Sequence, residues 1–122
     1  MDVPFYVTCK ADPTVLALLG SPEPRIYPFG TSPQDGTKPY AVYQWVGGNP
    51  LNMLNCRPDA DQISLQVDVY APTQTKSTEI AKAIRYAVEL SSYLTFYAGD
   101  MRDEPTKLYR TSFQLDWLVE RV

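Results

Sequence analysis

Residues 61–71, DQISLQVDVYA, alternate apolar and polar side chains without a break. Ile63, Leu65, Val67 and Val69 fall on one side; Gln62, Ser64, Gln66, Asp68 and Tyr70 fall on the other. Successive side chains of an extended strand point to opposite faces, so this pattern predicts a strand with one face on a core and the other on solvent or a partner. Burying each of the four aliphatic side chains is worth about 1.5–3 kcal/mol. The rest of the chain must supply the cover for that face.

Downstream, residues 72–78 form a polar connection in which Ser77 or Thr78 can cap a helix. Residues 79–90, EIAKAIRYAVEL, then change period: Ile80, Ala83, Ile84, Ala87 and Val88 share one helical face, with Lys82 and Arg85 on the opposite one. Glu89 follows Arg85 by four residues, a supporting pair on a helix surface. This predicts a helix packed on the sheet. Two further strands are predicted over residues 93–101 and 108–119, joined through residues 102–107, RDEPTK. In the second, Tyr109, Phe113, Leu115, Trp117 and Val119 alternate with Arg110, Ser112, Gln114, Asp116 and Leu118.

Upstream, residues 39–46, PYAVYQWV, have the β-branched and aromatic composition of a buried strand. Residues 25–29, RIYPF, predict a short edge strand, because Pro28 cannot donate to a ladder. Between them, residues 31–38 make a turn by their Pro, Asp and Gly content. Residues 47–61, GGNPLNMLNCRPDAD, read as one long irregular segment, with Gly47 to Pro50 as the strand exit. A connection of that length inside a compact domain is usually functional or mobile. At the start, Asp12 suits a helix N-cap and Pro13 the first helical position, ahead of an apolar run stopped by Gly20 and Pro22. Pro4 allows the helical opening to come in two pieces.

The predicted order is α–β–β–β–α–β–β. It describes an α+β fold: a largely antiparallel sheet of about four to five strands, packed by one main helix plus an N-terminal helical segment. With 122 residues, 44% hydrophobic and no shift in composition, the chain is expected to form one domain over residues 1–122. The opening residues lack the apolar run of a signal peptide, and no stretch approaches the roughly 20 apolar residues of a membrane span, so a soluble chain made in the cytosol is expected.

Chemistry is thin. There is no histidine, which removes the commonest general base and any Ser–His or Cys–His nucleophile. Cys9 and Cys56 form no CxxC pair and read as reduced thiols; nothing near Cys56 in sequence activates it. Asp59 with Asp61, and Asp100 with Asp103 and Glu104, lack the calcium-loop pattern and read as surface acids. No catalytic, cofactor or metal site is expected. A net charge of −3 with scattered basic residues argues against a tight grip on nucleic acid. The nine tyrosines and two tryptophans lie mostly in strand patterns without flanking arginines, which favours packing over base stacking.

The strings RIYPFGTSPQDGTKPYAVYQWVGGNP, DQISLQVDVYAPTQTKSTEIAKAIRYAV and YRTSFQLDWLVE, in that order and spacing, resemble the tail terminator family of long-tailed bacteriophages, also called tail-completion or tail-to-head joining proteins. The likeness runs from Asp12 onward. It implies a virion protein assembled in the host cytoplasm, forming a ring, usually of six copies, on the head-proximal end of the tail tube. Its partners would be further copies of itself, the major tail tube protein and the head-neck connector protein. DNA would be passing cargo, with no membrane partner and no cofactor. The family's contacts follow no short motif, so no residue role carries over.

Two expectations follow from the residues. Leu51, Met53 and Leu54 are apolar within a polar Gly/Pro-rich stretch, which suits a partner surface; the competing reading folds them over the core. Asp59, Asp61 and Asp100 are loop acids able to line a channel and repel phosphates. Another neck or minor tail component, such as a head-completion protein, shares these features. A small-ligand binding module with an aromatic pocket is the alternative from another class.

Overall fold

The alternation over residues 61–71 becomes the middle of a five-stranded sheet in a computed structural model, which describes residues 3–30, 39–52, 54, 57, 60–103 and 108–120. In chain order the elements are α1 (Phe5–Lys10), α2 (Pro13–Leu19), β1 (Ile26–Pro28), β2 (Tyr40–Pro50), β3 (Ala60–Ala71), α3 (Gln74–Val88), β4 (Ser92–Asp103) and β5 (Leu108–Glu120). The strands lie in the order β1-β2-β3-β5-β4. Every pairing is antiparallel except that of β1 with β2. The α+β class, the strand count and the element order are those expected. The turn expected at residues 31–38 lies outside the described residues.

The two expected faces of β3 are observed. Ile63 and Leu65 are 3% exposed, Val67 and Val69 fully buried, while Gln62, Ser64, Gln66, Asp68 and Tyr70 are only half-buried. β5 repeats the pattern beside it, with Phe113, Leu115 and Trp117 buried. Their register places Phe113 against Val67 and Leu115 against Leu65, so the two central strands present one continuous apolar floor. The helices cover it: Phe5 and Cys9 from α1, Val15 and Leu19 from α2, and Ile80, Ala81, Ile84 and Val88 from α3 join one core with the strand residues.

Helix α2 begins as its sequence dictates. The Asp12 carboxylate accepts hydrogen bonds from the backbone N–H groups of Thr14 (2.9 Å) and Val15 (3.2 Å), with Pro13 at the first turn. Helix α3 starts five residues before its expected first residue. Its cap is Thr73, whose hydroxyl accepts from the Lys76 N–H at 3.2 Å. Ser77, expected as a cap, is instead an inward-facing residue of the helix, fully buried, with Oγ 3.0 Å from Thr111 Oγ1 on β5. A buried hydroxyl needs a partner, and the neighbouring strand supplies one.

The other departure is the exit of β2. The expected irregular segment at residues 47–61 is shorter, because β2 continues through Gly47 and Gly48 to Pro50 and β3 begins at Ala60. A bulge at Val46 interrupts the β2–β3 register, after which Gly47 pairs with Ser64, Gly48 with Ile63 and Pro50 with Asp61. Gly48 stands so near β3 that a Cβ there would collide with the Gln62 carbonyl oxygen. The glycine signals close backbone approach within a strand, not the end of one.

Candidate interaction surface

With all three helices on one side of the sheet, the opposite face has no covering layer among the described residues. Register assigns its members: Tyr40, Val42 and Gln44 on β2; Gln62, Ser64, Gln66, Asp68 and Tyr70 on β3; Arg110, Ser112, Gln114, Asp116 and Leu118 on β5. Its centre is a network of amides, hydroxyls and two carboxylates. Asp116 Oδ2 accepts from Gln62 Nε2 at 2.7 Å, and Oδ1 from Ser64 Oγ at 2.6 Å. Asp68 accepts from Gln66 Nε2 (3.2 Å) and from Ser112 Oγ. The Gln66–Asp68 bond runs along β3, and the other three cross between β3 and β5.

The two ends of this face differ. One end carries aromatic packing: Tyr40 stacks on Tyr70 with ring centroids 5.1 Å apart, and Tyr27 lies 6.3 Å from Tyr40. At the other, where β2 and β5 end and β3 and β4 begin, apolar side chains reach solvent. Leu118 is 58% exposed and Tyr93 75%; Leu51 (42%) and Leu54 (91%) project from the connection beyond Pro50. A depression of about 310 Å³ opens at this end, lined by Leu51, Gln62, Tyr93, Asp116, Trp117 and Leu118. Away from it, at the bulge of β2, Trp45 and Val46 are also exposed; Trp45 pairs with Leu65 and so stands on the helix side of the sheet, its indole N–H donating to the Gly47 carbonyl at 2.6 Å. A cluster of exposed apolar side chains around a depression is the usual mark of a surface that meets a partner.

The residues singled out from sequence divide three ways. Leu51 and Leu54 are exposed at this end, while Met53 lies outside the described residues. Asp61, expected in a loop, stands inside β3 and is 3% exposed, because β2 extends alongside it and pairs Pro50 with it. Asp59 lies outside the described residues, as does the side chain of Asp100, whose backbone belongs to β4. Sequence reasoning passed over Trp45, Val46, Tyr93 and Leu118. A signal existed for Leu118: it is the one aliphatic residue in the polar set of its strand.

Cys9 is fully buried with a free thiol, and burial followed by the Asp12 charge pushes its pKa up to about 12. So protonated a thiol is no nucleophile. Among the described residues, no three acidic or thiol side chains gather to hold a metal ion. No helix among the described residues is long and apolar enough to cross a membrane.

Comparison with known proteins gives likenesses of two kinds. The family described as Tail completion protein gp17 matches residues 4–120. A chain of the solved virion of a native gene transfer agent (GTA) particle shares the fold, with a TM-score of 0.63 over 96% of this chain and 92% of that one, at 13% sequence identity. No curated protein matches by sequence.

Proposed function

The chain belongs to the tail completion protein gp17 family, and from that premise we propose that it caps the head-proximal end of a phage tail tube, stops the tube's growth and offers the surface that joins the head. Membership makes it a structural component of a phage-type virion; the capping role, a ring of copies, and contacts with the tube and the neck are the finer reading proposed here.

The observation that carries this reading is the end of the sheet where Leu51, Tyr93 and Leu118 are exposed around one depression, with Leu54 exposed on the same connection as Leu51. A tube grows because each ring offers its top face to the next, a head-to-tail contact that does not close along the axis. A terminating subunit must match that face and present a different one beyond it. Two chemically distinct surfaces suit this role, an apolar end for one partner and a polar sheet face that remains hydrated. The chain works through contact rather than bond-making chemistry on this reading, consistent with a sequence without histidine and a thiol buried in the core.

The test is particle assembly without the protein. Lysates of a host carrying a phage with this gene silenced should contain full heads without tails and tails of irregular, mostly excessive length in negative-stain micrographs. Supplying the chain in trans should restore joined particles. Tails of normal length attached to heads in its absence would exclude the role.

A further inference from the structure

The depression at the apolar end of the sheet contains a charge that none of the described residues neutralises. Asp116 lies on its wall, and its two oxygens are held by neutral donors only, Gln62 Nε2 on one and Ser64 Oγ on the other. Among the described residues it makes no ion pair. Each oxygen keeps a lone pair, and the two bonds fix the plane of the carboxylate. Around it stand the aliphatic side chains of Leu51 and Leu118 and the ring of Tyr93, all substantially exposed. An oriented carboxylate beside an aromatic ring and aliphatic walls is complementary to one side chain above others. A guanidinium can bond both oxygens at once, stack on the ring and lay its methylene stem along the leucines.

We propose that this depression is a slot for an arginine side chain carried by a neighbouring tail protein, with Asp116 pairing its guanidinium and Tyr93, Leu51 and Leu118 packing its stem. The choice of occupant rests on charge complementarity: the slot supplies one unpaired negative charge and apolar walls, and asks for one cation on an apolar stem. A volume of about 310 Å³ has room for a single long side chain. The slot deepens the tail-completion reading, and the identity of the neighbour rests on that reading; the slot itself does not.

The test uses the full chain and butylguanidinium as probe, followed by amide NMR shifts, with neutral butylurea as control. Butylguanidinium should give saturable shifts centred on Tyr93, Asp116 and Leu118, with half-saturation at about 10 mM or below, as expected for one small ligand on an open site. In Asp116→Asn, which keeps the size and both neighbouring donors, binding should weaken by about tenfold. Absence of saturable shifts, equal binding by butylurea, or undiminished binding in Asp116→Asn overturns the slot. Self-association of the purified chain that the probe reverses would assign the arginine to a second copy and overturn the assignment to a different protein. In particles, Asp116→Asn should lower the yield of joined virions, while Asp68→Asn, on the same face outside the slot, should not. If the probe binds as described but particles lacking the chain are normal, the slot stands and the tail-completion reading falls. If particles need the chain and the probe does not bind, the reverse holds.

Discussion

Cys9 departs far from the ordinary behaviour of a thiol. It is fully buried on α1, and its pKa is pushed up to about 12, first by burial and then by the negative charge of Asp12. A thiol held protonated in the folded state but free to ionise in the unfolded chain links stability to pH with a definite sign. Below the ordinary thiol pKa both states hold the proton and the linkage is silent. Between that value and about 12 the unfolded chain releases the proton and the folded one keeps it, so stability falls as pH rises. Melting temperature measured across this alkaline window should therefore drop more steeply for the wild type than for Cys9→Ala, in which the titrating group is gone. Near neutral pH the variant should melt lower, since it loses buried volume; the gap should narrow as pH rises. Parallel curves for the two proteins would show that Cys9 does not ionise on unfolding. In a Cys56→Ser background the native chain should also resist thiol alkylation until denaturant is added.

Between neighbouring elements, the β2–β3 pairing turns on two adjacent glycines that do different work. An added Cβ at Gly47 meets nothing within 4 Å, whereas one at Gly48 would press into the backbone of Gln62 and Ile63. Gly47→Ala should leave stability nearly unchanged. Gly48→Ala should cost about 1–3 kcal/mol by forcing the strands apart, read as a lower denaturant midpoint at an unchanged slope. Equal effects would mean that the strands do not approach as closely as described. The same pair explains what sequence could and could not deliver. Strands β3 and β5 were legible because one buried face imposes alternation along most of their length, broken in β5 where Thr111, Ser112 and Phe113 are all buried. The start of α3 was misplaced because Ser77 looks like a cap, yet it is turned inward onto Thr111, a cross-element hydrogen bond that no local pattern announces. The second half of β2 was hidden because Gly47, Gly48, Asn49 and Pro50 are the vocabulary of turns. Only the register with residues 61–64 shows them to be strand. Bulges also mark both long strands near the sheet edges, at Val46 in β2 and at Thr95 and Ala98 in β4. Such irregularities discourage edge-to-edge pairing, which leaves side-chain surfaces rather than strand edges to make specific contacts.

For the molecule as a whole, the question is whether the exposed apolar end serves the fold or a partner. Leu51 and Leu54 were legible in sequence as candidates for either; Tyr93 and Leu118 were not, because their proximity arises from β4 and β5 meeting on one end of the sheet. Their exposure separates the two possibilities. Leu54 at 91% and Leu51 at 42% give up little apolar contact with the core, so removing them should barely disturb it. Replacing Leu51, Met53 and Leu54 together with serine should shift the melting temperature by only a few degrees, the scale of about 1 kcal/mol or less for a chain of this size. If this end is the docking surface, the same variant should fail to complete tails in trans. Packing of apolar anchors in a partner's pocket is where most binding energy resides, and serine leaves the anchors empty. A variant that is folded but inactive places these residues at the partner. A variant that unfolds would mean the leucines cover the core, and one that is folded and fully active would move the docking surface elsewhere. The polar centre of the sheet face gives the internal control. Gln66→Ala removes a side chain from the carboxylate network without touching the apolar end, and should leave tail completion intact if binding is confined to that end.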